Sequence, residues 1–326
     1  YHEIAKIVLE KSESSKDTVS LAKAYSYLGD YYVSQGVSDT AFTYYFKAEK
    51  IYLQQNENIN LARIRLNKAQ LQYKESDYLG SEISAIKALR VLKGEKADDI
   101  AYELYNLLGL VYNELGEYDK AIEFHTKALA NINSETTPVE FQYLPTSMNN
   151  MGFVYQNMNQ HEKAIPYFQK GLEQKKDLIL YKPFVYAILL DNLGYSRFKI
   201  KESSGLPELF YESLKIRDSL QLTTGIITTK IHLSEYFASK KDMAKALQYS
   251  NEALATARKS KNRRNFLLPL KKLAIIEPQK ASAYNKEYIH INDSLQKAER
   301  KMEYKFTRIE YETDEIKQEN TDLTTQ

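Results

Sequence analysis

A glycine set among apolar and aromatic residues returns through this chain at near-constant intervals. Leu28-Gly29-Asp30-Tyr31-Tyr32 comes back as Leu108-Gly109-Leu110-Val111-Tyr112, as Met151-Gly152-Phe153-Val154-Tyr155, and in part as Leu193-Gly194-Tyr195. Weaker copies stand at Lys68-Ala69, Leu233-Ser234 and Leu273-Ala274. The small residues fall at 29, 69, 109, 152, 194, 234 and 274, so the spacings are 40, 40, 43, 42, 40 and 40. A period in this range marks a repeat architecture, in which each unit buries its apolar face only by stacking on its neighbours.

A second pattern follows the first at fixed offsets. Ala41, Tyr45 and Ala48 follow Gly29 at +12, +16 and +19; Ala164, Phe168 and Gly171 follow Gly152; Ala121 and Ala128 follow Gly109; Ala246 and Ala253 follow Ser234. Residues seven apart lie two turns apart on one helical face. Each unit therefore reads as two helices crossing closely at small residues, with aromatics filling the space beside the crossing. This accounts for the 27 tyrosines in a chain without tryptophan. Turn residues such as Gly36 and Gly116 separate the two helices, and Ser38, Asp77 and Asp242 are the expected N-caps of second helices.

Tyr105, Leu108, Gly109, Tyr112, Gly116, Tyr118, Ala121 and Ala128 carry a resemblance to the tetratricopeptide repeat family, and the pattern runs from about Leu21 to Leu295. The resemblance implies an all-α, right-handed superhelical solenoid of about seven helix pairs. Residues 1–20 read as the helix of a truncated preceding repeat, 21–294 as the solenoid, and 295–326 as a long exit helix. It also implies a concave face, lined mainly by first helices, that binds a peptide or protein. Helical spacing from the small residues places Asn106, Asn113, Asn149, Phe153, Gln156, Asp191, Tyr195 and Phe198 on that face. Carboxamides match the alternating donors and acceptors of a peptide backbone; the competing reading is that they only solvate the surface.

In the exit helix Leu295, Met302, Ile309, Ile316 and Leu323 lie seven apart, one apolar stripe of a heptad. The companion stripe, Ala298, Lys305, Glu312 and Glu319, is polar, so a weak coiled coil is expected, with Met302, Ile309, Ile316 and Leu323 as the homodimer contact. The alternative is a capping helix whose stripe, with Phe306 and Tyr311, packs on the last repeat. The stretch from Gln296 to Ile316 resembles the juxtamembrane end of tetratricopeptide sensor proteins of Bacteroidetes-type bacteria. That resemblance implies a sensing region on the periplasmic side of the inner membrane, part of a membrane-bound histidine kinase or transcription regulator. A cytosolic peptide-responsive regulator or assembly scaffold is the alternative.

Composition narrows the classes further. Lys and Arg number 45 against 43 Asp and Glu, a net charge of +2, which gives no electrostatic reason to expect direct nucleic-acid binding. The absence of cysteine removes thiol catalysis and thiolate metal sites. Five scattered histidines, His2, His125, His161, His232 and His290, make no H-x-x-x-H pair, and no Gly-rich phosphate loop is present. Neither catalysis nor a cofactor is expected. The cluster Arg258, Lys259, Lys261, Arg263 and Arg264 reads either as an anion site or as a solvated helix end. The chain opens at Tyr1 without methionine and reads as an excised piece, so any membrane segment would lie downstream.

Overall fold

The structure is a computed structural model that describes residues 2–15, 17–131, 137–173, 175–302 and 304–314. Among the described residues every regular element is a helix. The chain divides into two compact units, residues 1–133 with 299–326, and residues 134–298.

In the first unit α1 (His2–Ser15) packs on α2 (Thr18–Ser34). Three antiparallel pairs follow: α2 with α3 (Ser38–Gln54), α4 (Asn58–Lys74) with α5 (Tyr78–Val91), and α6 (Asp98–Glu114) with α7 (Tyr118–Ala130). The second unit holds α8 (Thr137–Asn157) with α9 (His161–Gly171), the short α10 (Lys175–Tyr181), α11 (Pro183–Lys199) with α12 (Glu208–Ser219), and α13 (Thr223–Ser239) with α14 (Met243–Lys259). A seventh pair is made by α15 (Leu267–Ile276) and α16 (Ala281–Met302), joined through Leu270, Leu273 and Ile291. Ala274 lies off that contact, half-buried, which is why this copy of the pattern is faint.

The repeat offsets have a steric meaning. The residue at +16 lies flat against the small residue of the first helix. A Cβ on Gly29 would sit 2.3 Å from the Tyr45 ring, on Gly109 2.5 Å from His125, on Gly152 2.5 Å from Phe168, and on Gly194 2.9 Å from Phe210. Where the first helix carries a larger residue, the second carries a smaller one: Ala69 faces a helix with Ser81, Ala85 and Ala88, all buried, and Ser234 bonds to Ser250 at 2.8 Å. Serine also closes these crossings by donating to the opposite backbone, Ser81 Oγ to Ala69 O at 2.8 Å and Ser213 Oγ to Ala187 O at 2.7 Å.

The turn inside each pair is equally regular. The residue seven past the small one has positive φ in the first six pairs: Gly36, Ser76, Gly116, Asn159, Lys201 and Lys241. The next N–H reaches back five residues, as in Val37 N to Tyr32 O at 2.9 Å and Asp242 N to Phe237 O at 3.0 Å, closing the helix end. Asp77 and Asp242 cap α5 and α14, accepting from Gly80 N at 3.0 Å and Lys245 N at 3.1 Å. Ser38 is a correction. Val37 holds the cap position, while Ser38 is the first residue of α3 and donates to Glu75 Oε1 at 2.6 Å, so it pins two pairs together instead of capping.

His125 takes the ring position facing Gly109. It is fully buried, and among the described residues neither ring nitrogen has a partner. Desolvation lowers its pKa to about 4, so the folded state holds the neutral ring. In the unfolded chain the ring takes up a proton near pH 6.5. Between about pH 6.5 and 4 the unfolded state then binds the extra proton, and stability falls as pH falls, by about 3 kcal/mol across the window. His125→Phe, which copies the ring facing Gly152, is expected to stabilise the first unit by ~1–2 kcal/mol at pH 7 and by more at pH 5. Chemical denaturation at both pH values checks this; an equal gain at the two would contradict the protonation account.

Candidate functional site

The first helices α8, α11 and α13 of the second unit frame a cleft of about 320 Å³. Phe153, Gln156 and Asn157 come from α8, Asn192 and Tyr195 from α11, and Thr228 and His232 from α13; Asn159 in the turn and His161 at the start of α9 complete the lining. Phe153 and Tyr195 each directly follow the glycine of their helix, so the crossing that buries the glycine turns the next side chain outward.

The wall is a stack of rings. Tyr195 lies on His232 with ring centres 4.2 Å apart and planes 20° apart, and His161 meets the Tyr195 edge at 5.9 Å and 78°. Burial, then Glu235, pushes the Tyr195 phenol up to about 12, so it stays a neutral donor and acceptor. Burial, then the charge of Lys199, lowers the pKa of His161 and favours the neutral ring. Its Nδ1 is 3.4 Å from Ser196 Oγ, while its Nε2 is buried with no partner among the described residues. Phe153 stands at the mouth, 37% exposed.

The carboxamides behave differently from the expectation of a free backbone-reading row. Gln156 Nε2 donates to Asn192 O at 3.0 Å and Ser196 Oγ at 2.9 Å, and Asn192 Nδ2 donates to Asn149 Oδ1 at 2.9 Å. They form a ladder between α8 and α11, one repeat apart. Gln156 still lines the cleft, but from a buried position.

Asp191 is corrected outright. It is 0% exposed and absent from the cleft lining. Arg217 of α12 lies 3.2 Å from its Oδ2, and His232 Nδ1 lies 3.1 Å from the same oxygen. The same Arg217 Nη1 reaches Gly225 O at 2.7 Å and Thr229 Oγ1 at 2.6 Å. Burial pushes the Asp191 carboxyl up, but His232 and Arg217 outweigh it and hold it below the usual carboxylate range. Asp191 thus binds the fifth and sixth pairs together and positions His232 from behind.

Phe198 is half-buried and touches Tyr195 and Tyr236 beside the cleft, without lining it. Asn106 and Asn113 lie on α6 in the first unit, half-buried and buried, and both are already engaged. That unit has two adjoining clefts of its own between α2 and α4, about 270 and 450 Å³, which share Asp30 and Asn67. Ile309 is a third correction: it packs against the apolar core of α2, α3 and α4 inside its own chain. Ile316 and Leu323 lie outside the described residues, as does the side chain of Met302. The basic cluster falls at the α14–α15 junction, where Arg258 approaches Glu287 at 3.6 Å and Asn262 caps Arg264. Among the described residues no group of three His, Asp or Glu side chains could hold a metal ion, and no helix is long and apolar enough to cross a membrane.

Residues 100–177 match the family described as tetratricopeptide repeat. No curated protein matches the chain. Among solved structures, the Rap conjugation gene regulator of plasmid pLS20, in complex with a Phr peptide, is similar with a TM-score of 0.64 at 15% identity, over 88% of this chain and 77% of that one. Aspartyl phosphate phosphatase F from Bacillus subtilis is similar with a TM-score of 0.67 at 18% identity, over 87% and 74%. A signal-transduction ATPase with a tetratricopeptide repeat sensor from Pyrococcus horikoshii gives 0.65 at 14%, over 91% and 46%. At such identities the likeness is one of fold. The chain is an all-α protein of stacked helix pairs with the fold of these tetratricopeptide-type solenoids.

Proposed function

We propose that the α8–α11–α13 cleft receives a segment of a peptide or protein ligand and that the chain is a non-catalytic sensing module. The carrying observation is the cleft wall: a buried His161 Nε2 without a partner among the described residues, beside stacked Tyr195 and His232 and an exposed Phe153. A buried polar atom of this kind is costly until something pairs with it, and a ligand amide or hydroxyl suits either ring tautomer. The volume matches one or two side chains, at the small end of ligand pockets. That the Rap regulator was solved with a peptide supports the ligand class.

The context we propose is the ligand-sensing region of a membrane-bound signal-transduction protein, a sensor histidine kinase on the periplasmic side, acting as a homodimer. The support is the resemblance of residues 296–316 to juxtamembrane segments. The alternative is a cytosolic peptide-responsive regulator or an assembly scaffold.

One experiment with two readouts tests this. Peptides selected from a random twelve-residue library on the intact chain should lose about tenfold or more in affinity on Phe153→Ala, with unchanged thermal stability. A library without binders, or binders indifferent to Phe153→Ala, would sink the cleft assignment. The sequence after Gln326 decides the context: about 20 apolar residues support the membrane sensor, and a stop codon or a soluble domain removes it.

A further inference from the structure

Residues 305–314 form a helical segment that lies on α3 and α4 of the first unit, some 240 to 270 residues upstream in sequence. Phe306 is 1% exposed, and its ring centre is 4.5 Å from that of Phe42. Ile309, one turn on, joins the same apolar core. Glu310 Oε1 is 2.5 Å from Lys68 Nζ. Two further ion pairs bracket the contact, Lys305 with Asp39 and Asp314 with Lys50.

Lys68 makes this seat selective. Its side chain is 4% exposed, its ammonium lies 4.8 Å from the Phe42 ring centre and 5.0 Å from that of Phe46, and Glu49 bonds it at 2.6 Å. Glu49 also accepts from Arg65 at 2.7 Å. Two cations therefore share one carboxylate until Glu310 arrives. Without the segment the seat keeps a net positive charge, two cations on one carboxylate, beside an aromatic surface opened to water, and an acid on an apolar helical face answers both.

We propose that this face of α3 and α4 is a helix-recognition site. It reads an aromatic residue, an aliphatic one three positions later and an acid four positions later, all on one helical face. Its occupant is residues 305–314, held here by the chain itself and exchangeable with the same segment of a second copy. The site lies in the first unit and shares no residue with the peptide cleft, so each stands or falls alone.

The test uses the full-length chain and a fluorescein-labelled peptide of residues 301–318, read by anisotropy. The wild-type chain, its seat filled, should bind weakly. Phe306→Ala, and separately the double charge reversal Lys305→Glu with Asp314→Lys, should loosen the resident segment and raise peptide affinity at least tenfold. Against the opened chains, peptides carrying Glu310→Gln or Phe306→Ala should bind about tenfold more weakly than the wild-type peptide. Should Phe306→Ala fail to fold by circular dichroism, the charge-reversal chain carries the comparison. Equal peptide affinity for wild-type and opened chains, or indifference to Glu310→Gln, would overturn the proposal.

Discussion

Asp191→Ala should destabilise the 134–298 unit by about 3–5 kcal/mol, measured by urea denaturation followed by circular dichroism. The substitution removes little volume. Its cost comes from the partner left behind: Arg217, with a side chain only 5% exposed, would keep its bonds to Gly225 O and Thr229 Oγ1 but lose its counter-ion. A buried guanidinium can neither shed its proton nor reach water. Replacing both charges with apolar side chains, Asp191→Leu with Arg217→Met, should recover most of the loss, because the pair itself contributes little beyond a well-packed apolar contact. The wild-type protein should also lose this contribution in acid. The folded pKa of Asp191 lies below its unfolded value, so the stabilisation is complete above about pH 4 and disappears as pH falls through the folded pKa. A single-mutant loss under about 1 kcal/mol would mean that water reaches Arg217.

Asp191 also shows where spacing stops being informative. Counting from Gly194 places it on the face of α11 turned from its own pair, and that face is what a groove would use. The residue that covers it, Arg217, comes from the second helix of the pair, 26 positions on, and no helical spacing within α11 reveals it. The carboxamides fail for a related reason. Asn149 and Asn192 are 43 residues apart, and Gln156 and Ser196 are 40 apart. Each partner lies about one repeat on but one or two positions off the aligned site, since the counterparts of Asn149 and Gln156 are Asp191 and Phe198, so setting the repeats side by side does not reveal these contacts.

The exit helix illustrates the same limit over a greater distance. A seven-residue stripe announces that one face is apolar; it does not say what covers that face. Within the stripe Leu295 is covered by the core of α14, α15 and α16, and Ile309 by that of α2, α3 and α4, all in the same chain. The denser pattern Phe306, Ile309, Glu310 names the partner's chemistry better than the stripe, since an acid inside an apolar face implies a cation opposite. By contrast, the helix pairs were legible because their cause is local: a glycine or alanine at a crossing constrains the residue 16 positions later directly. Ser81, Ala85 and Ala88 show that even the faint pair around Ala69 obeys the rule, with serine in place of alanine.

That rule gives the second large effect. Gly152→Ala puts a methyl group 2.5 Å from the Phe168 ring, which is itself fully buried among Leu178, Val185 and Leu189 and has nowhere to withdraw. Overpacking of this kind costs about 1–3 kcal/mol, and the upper end is expected here. Phe168→Ala alone should cost about 3–5 kcal/mol through lost burial and the cavity it opens. Together the two should cost no more than Phe168→Ala does, because the added methyl enters the cavity. The double mutant then reproduces the pairing of alanine with alanine at Ala69 and Ala85. The coupling between the two substitutions should be about 2–3 kcal/mol, read from urea denaturation of the four proteins in the cycle. Simple additivity would show that the ring and the glycine do not determine each other's size, and the steric account of the repeat would fail with it.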